Sequence, residues 1–88
     1  MIARRVVVHG RVQGVFYRDW TVATAKKLGL AGWVRNLPDG TVEARLEGEE
    51  AALDAMIAAM RDGPPRAAPT HVDAQDVAPE GATEFTRR

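Results

Sequence analysis

Cysteine is absent from these 88 residues. Its absence excludes disulfide bonds, thiolate metal sites and cysteine nucleophiles. Net charge is absent as well, because twelve basic and twelve acidic residues cancel. No basic face is therefore expected of the size that bulk nucleic-acid binding needs. Neutrality leaves open the binding of a single phosphate, which depends on local geometry. No apolar run is long enough to span a bilayer, and the start Met1-Ile2-Ala3-Arg4-Arg5 lacks the apolar segment of a signal peptide. A cytoplasmic chain without membrane contact is the expectation. Histidine is limited to His9 and His71. With no carboxylate pair beside them, both read as structural or solvated rather than as metal ligands. There is no internal repeat and no low-complexity tract.

What is present suffices for one small core. Hydrophobic residues make up 45% of the chain, and residues 1–88 read as a single domain. A domain this short buries about 60–65% of its unfolded surface, so its stability margin is modest. Arg4 to His9 reads as a strand, rich in β-branched residues. A helix is predicted from Arg18 to Leu28, with Arg18, Thr21, Val22, Ala25 and Leu28 on one face and Gly29 as its left-handed terminator. Trp20 falls off that stripe and is expected to cover the edge of the core. Trp33 to Leu37 is the second strand. Leu37-Pro38-Asp39-Gly40 is a turn, and Thr41 to Glu47 alternates as a half-buried strand. Val42, Ala44 and Leu46 face inward there, while Glu43, Arg45 and Glu47 are expected to form a solvated face. Leu53, Met56, Ile57 and Met60 recur at helical spacing as core residues, and Gly63-Pro64-Pro65 stops that helix. A fourth strand is expected from Thr70 to Val77, with Pro69 weakening its entry, and a short fifth from Phe85 to Arg87.

The order βαββαβ predicts an α+β, ferredoxin-like sandwich: an antiparallel sheet of four to five strands with two helices on one face. Right-handed crossovers then place strand three between strands one and two, which run in the same direction. The loop after strand one and Asn36 at the end of strand two meet at one edge of the sheet.

That loop, Gly10-Arg11-Val12-Gln13-Gly14-Val15-Phe16-Tyr17-Arg18, carries two glycines and opens a helix. Amides from Gln13 to Arg18 can converge as a nest for an anion, reinforced by the helix start and by a permanent guanidinium. The plainer alternative is an ordinary tight strand-to-helix connection. Likewise Arg18 can be a surface arginine paired with Asp19 or a helix-end carboxylate, and Asn36 a turn asparagine bonding its own backbone. Asp19 projects outward and is given no role. Arg11 is a candidate for attracting an anionic substrate.

Gly10, Val12-Gln13-Gly14-Val15, Tyr17 and Arg18 resemble the phosphate loop of acylphosphatases. Gly32-Trp33-Val34-Arg35-Asn36 resembles that family's second motif, and Asp39-Gly40-Thr41-Val42-Glu43 its hairpin. Gly63-Pro64-Pro65 fits the segment after its second helix. The likeness covers residues 4 to 77. It implies hydrolysis of the carboxyl–phosphate bond of a small-molecule acyl phosphate, yielding a carboxylate and inorganic phosphate. It implies that Gln13, Gly14, Val15, Phe16, Tyr17 and Arg18 bind the phosphate, that Arg18 and Asn36 are catalytic, and that no metal or cofactor takes part. No nucleic acid or membrane partner is implied, and a monomer is expected. Phe16 and Tyr17 are acceptable variants in the aromatic part of the loop. Residues Arg66 to Thr70 are looser than usual in the family.

Two other readings are weighed. One is a non-catalytic anion-binding domain that keeps the cradle, told apart by phosphate binding without hydrolysis. The other is a ferredoxin-like RNA binder. Strand one offers no aromatic for stacking and strand three offers Thr41, Glu43 and Arg45, which argues against it.

Overall fold

The computed structural model describes all 88 residues. The elements are β1 (Ile2–Arg11), α1 (Tyr17–Lys27), β2 (Ala31–Asn36), β3 (Val42–Gly48), α2 (Glu50–Asp62), β4 (Ala68–Val77) and β5 (Phe85–Arg87). They form one sheet in the order β4-β1-β3-β2-β5. The ferredoxin-like α+β arrangement is the one expected, with β3 between β1 and β2. The sheet is mixed rather than wholly antiparallel, because β5 joins β2 in parallel, with Gly32 opposite Phe85. Buried Phe85 anchors this short strand in the core. The C-terminal end of β5 therefore reaches the same edge as the C-terminal ends of β1 and β2.

Helix α2 buries Leu53, Met56, Ile57 and Met60, as its periodicity requires. Helix α1 buries Tyr17, Thr21 and Ala25, while Val22 and Leu28 are partly buried against the core. Its end is a Schellman motif: Leu30 N–H donates to the Ala25 carbonyl at 2.9 Å and Gly29 N–H to the Lys26 carbonyl at 3.1 Å. Trp20 packs tilted against Tyr17, ring centroids 5.4 Å apart, and so closes the edge of the core. Buried Tyr17 donates its hydroxyl to the Met60 carbonyl at 2.7 Å, tying the start of α1 to the end of α2. Burial pushes the Tyr17 phenol well above its ordinary range.

Strand β4 starts at Ala68, ahead of Pro69. The proline falls where the β1–β4 register shifts, opposite Gly10. β4 is an edge strand, where a missing N–H is tolerated. Gly10 is required at this crossing, since a Cβ there would run into the Ala68 carbonyl oxygen.

The outward face of β3 departs from expectation. Val42, Ala44 and Leu46 are fully buried, yet Glu43 and Glu47 on the opposite face are also only 5% and 1% exposed. Central position explains this. Glu43 is covered by arginines from both neighbouring strands, Arg5 Nε at 2.5 Å and Arg35 Nε at 2.6 Å. Glu47 is covered by the segment leading to β5. It accepts the backbone N–H groups of Glu80, Gly81 and Ala82 at 2.9, 3.0 and 3.2 Å. Arg45 reaches the same segment through the Ala78 carbonyl and through Glu80, whose Oε1 lies 3.0 Å from its Nε. On both acids burial would raise the carboxyl pKa, but the hydrogen bonds outweigh it and the net shift is downward.

His9 and His71 are paired across β1 and β4, and a carboxylate does lie beside them. Both Nε2 atoms meet Asp73, at 3.1 and 2.6 Å. The hydrogen bond from His71 is the main cause that lowers the Asp73 pKa. The cluster is part of the solvated outer surface of the sheet.

Candidate active site

The parallel strands β1, β2 and β5 end at one edge. There, residues 12–16 link β1 to α1, Asn36 closes β2, and Arg87 ends β5. A cleft of about 260 Å³ opens between them, lined among others by Gly14, Phe16, Arg18, Asp19, Asn36 and Arg87. Topology thus brings Arg18 and Asn36 to one cavity from positions eighteen residues apart in sequence.

The loop holds an unusual shape. Gly14 has φ +72, a conformation that glycine adopts freely. Phe16, the N-cap of α1, has φ +64 and ψ 24, where an extended backbone is the norm. Its carbonyl accepts the Trp20 N–H at 3.1 Å, closing the first helical turn. No backbone N–H from Gln13 to Arg18 donates to a backbone or side-chain acceptor of the protein. Six consecutive donors at a helix start are therefore free for a ligand.

The side chains of the loop divide the work. Val15 and Tyr17 are core residues, so only their backbone faces the question of anion binding. Gln13 also turns away from the cleft. Its carboxamide nitrogen donates to the Leu37 carbonyl at 2.8 Å and to the Thr41 carbonyl at 2.9 Å. This clamps the loop to the base of the β2–β3 hairpin. Asp39 fixes that hairpin in turn, accepting the Thr41 N–H at 3.0 Å and its hydroxyl at 2.6 Å. The hydroxyl hydrogen bond is the largest cause that lowers the Asp39 pKa. Nothing in the pattern of residues pointed to the Gln13 clamp, which depends on two carbonyls from another part of the chain.

Arg18 is not paired with Asp19. Its Nη1 donates to the main-chain oxygen of Arg88 at 2.9 Å, while Asp19 Oδ1 takes Nη1 of Arg87 at 2.7 Å. The Asp19–Arg87 pair neutralises itself, and Arg18 has no Asp or Glu partner. Sequence reading gave Asp19 no role and did not include Arg87, because its placement depends on how β5 docks. Asn36 makes no hydrogen bond to its own backbone through its side chain, and it lines the cleft. Arg11 is exposed and lies outside the cleft lining.

The cleft thus brings together a guanidinium and a row of amides without protein acceptors. The family model for acylphosphatase matches residues 4–87. The chain belongs to the acylphosphatase family. An acylphosphatase of Rhodospirillum rubrum is 58% identical over 79 residues, covering 90% of this chain and 84% of its own. The crystal structure of acylphosphatase from Bacillus subtilis superposes with a TM-score of 0.97 at 38% identity, covering 100% of this chain and 99% of that one. Full-length HypF, in a phosphate- and nucleotide-bound form, contains a similar region. It has a TM-score of 0.88 at 26% identity, spanning 99% of this chain and 12% of HypF. No helix is long and apolar enough to cross a membrane.

Proposed function

We propose that this acylphosphatase binds the phosphoryl group of an acyl phosphate in the Gln13–Arg18 loop and hydrolyses it with Arg18 and Asn36. The observation that carries the assignment is the run of six loop amides without a protein acceptor beside an arginine with no Asp or Glu partner, whose one hydrogen bond runs to the main-chain oxygen of Arg88. Gln13, Gly14, Val15, Phe16, Tyr17 and Arg18 supply main-chain donors to the phosphoryl oxygens. Arg18 adds charge-assisted hydrogen bonds, each worth about 1.5–3 kcal/mol. Asn36, too weak a base to take a proton, orients water for in-line attack on phosphorus.

The chemistry suits so sparse a site. Water oxygen bonds to phosphorus as the bond from phosphorus to the acyl oxygen breaks, releasing a carboxylate and orthophosphate. The leaving carboxylate is a weak base and needs no general acid. A loose transition state asks for positioning and charge stabilisation. The water proton passes to a phosphoryl oxygen of the substrate. Residues 1–88 act as one unit, a cytoplasmic monomer that needs no metal or cofactor and binds neither nucleic acid nor membrane.

Acetyl phosphate hydrolysis in the presence of a chelator tests the reading. Arg18→Gln is expected to lower kcat/KM by about 10²–10³ and to weaken inhibition by phosphate, since it removes a transition-state donor. Asn36→Ala lowers kcat while phosphate inhibits as before. Turnover like that of the wild type in both variants contradicts these roles. Phosphate binding without any hydrolysis by the wild type points to an anion-binding module, as the HypF likeness would suggest.

A further inference from the structure

Phe16 is the one residue other than glycine with a positive φ in this chain; the remaining seven such positions are all glycine. A bulky side chain in this region is a backbone outlier and carries strain. Glycine would hold the same loop at no such cost. The N–H that Phe16 offers an anion is common to any residue but proline, so the cradle does not require the ring. The core does not require it either, because Phe16 is 69% exposed. Its ring sits at the wall of the cleft, in the loop between Gly14 and Arg18. Phe16 thus presents an exposed apolar surface at the wall of the cleft in which the phosphoryl group is proposed to sit.

We infer that Phe16 is a specificity-determining residue. Its ring contacts the acyl portion of the substrate and favours aromatic over small aliphatic acyl phosphates. The inference rests on the phosphate being held by the 13–18 loop, as proposed above. It adds the chemical class of the group on the far side of the scissile bond. Contact between two aromatic rings on an open wall changes selectivity by about threefold to tenfold.

The test compares kcat/KM for benzoyl phosphate and acetyl phosphate in the wild type, Phe16→Gly and Phe16→Tyr. Each substrate has its own leaving-group reactivity, so the quantity read is the change in the ratio between enzymes. Phe16→Gly should lower the benzoyl-to-acetyl ratio about threefold to tenfold, mainly through a higher KM for benzoyl phosphate. Phe16→Tyr should retain the ratio. Glycine accepts the backbone angle, so the variant keeps the loop. A ratio within twofold of wild type in Phe16→Gly, or a parallel fall for both substrates, overturns the inference and leaves the catalytic roles standing. A wild type that hydrolyses neither substrate overturns the catalytic reading and this inference with it.

Discussion

The chain uses one motif twice, β1–α1–β2 and β3–α2–β4, and the two strand-to-helix junctions are built differently. At the second, Glu49 alone separates the strand from the helix. It has φ −70 and ψ 144, an ordinary extended N-cap. Glu50 follows in the first turn, where a carboxylate favours the positive end of the helix dipole. At the first junction residues 12–16 intervene, the N-cap is left-handed, and the first turn carries a guanidinium, Arg18, beside a carboxylate, Asp19, that is already paired with Arg87. The same field that welcomes Glu50 opposes Arg18. Packing two helices on a sheet asks only for the short second kind of junction. The longer, strained first kind, with a guanidinium at the positive helix end, makes sense if an anion completes it. The proposed anion site belongs to one half of a repeated frame.

Anion-dependent stability sharpens this contrast most. Inorganic phosphate at a hundred times its Kd should raise unfolding stability by about 2.7 kcal/mol, read as a rise in Tm. Arg18→Gln should lose most of that gain at the same phosphate concentration, because the strongest donor of the first junction is gone. Glu50→Gln, at the second junction, should keep it. Equal protection of both variants would mean that phosphate does not distinguish the two helix starts.

The halves differ also in what supports them from outside. The first receives the end of the tail, which adds β5 beside β2 and brings Arg87 to Asp19 and the Arg88 oxygen to Arg18, while β3 of the second holds the start of the tail. Glu47 anchors that tail through residues 80–82. Its folded pKa is lowered, so its contribution is present above the unfolded carboxyl value of about 4.3. It is lost as pH falls through the folded value. Glu43, shifted in the same direction, adds to the same acid limb. Thermal unfolding followed from pH 7 to pH 3 should show that loss in the wild type. Glu47→Gln should start about 1–3 kcal/mol less stable at neutral pH, since weakened acceptors replace a buried carboxylate. Its acid limb should be flatter. An unchanged slope would show that the tail is held by Phe85 and Arg45 without help from Glu47.

Much of this was legible in the residues, and the parts that were not share a cause. Helix α2 declared itself because Leu53, Met56, Ile57 and Met60 follow a period that nothing else imitates. Arg18 and Asn36 could be placed at one edge because crossover handedness leaves a single topology. The inward face of β3 followed from alternation. Its outward face was misread, because alternation shows that Glu43 and Glu47 oppose the core without showing what covers them. The covering comes from Arg5, Arg35 and residues 78–82, all distant in sequence. The parallel pairing of β5 was hidden for the same reason: three residues carry no signal of direction. With it were hidden Arg87 and the true partner of Asp19. Gln13 was marked as part of the anion loop, and its clamp on Leu37 and Thr41 needed the hairpin to be in place first.

The smallest expected effect lies at the junction without a ligand. Glu50 sits in the first turn of α2, exposed and without an ion-pair partner. Replacing it by lysine reverses the charge facing the helix dipole, at a cost of about 0.3–1 kcal/mol in low salt. Urea unfolding at low ionic strength should detect that loss, and added salt should shrink it, because the Debye length falls to about 10 Å at 0.1 M. Hydrolysis and phosphate inhibition should stay at their wild-type values, since α2 begins at the opposite edge of the sheet from the cleft: β3 runs antiparallel to both β1 and β2. A change in KM on Glu50→Lys would mean that long-range charge, rather than local donors, attracts the substrate, and the two junctions would then be less separate than their geometry indicates.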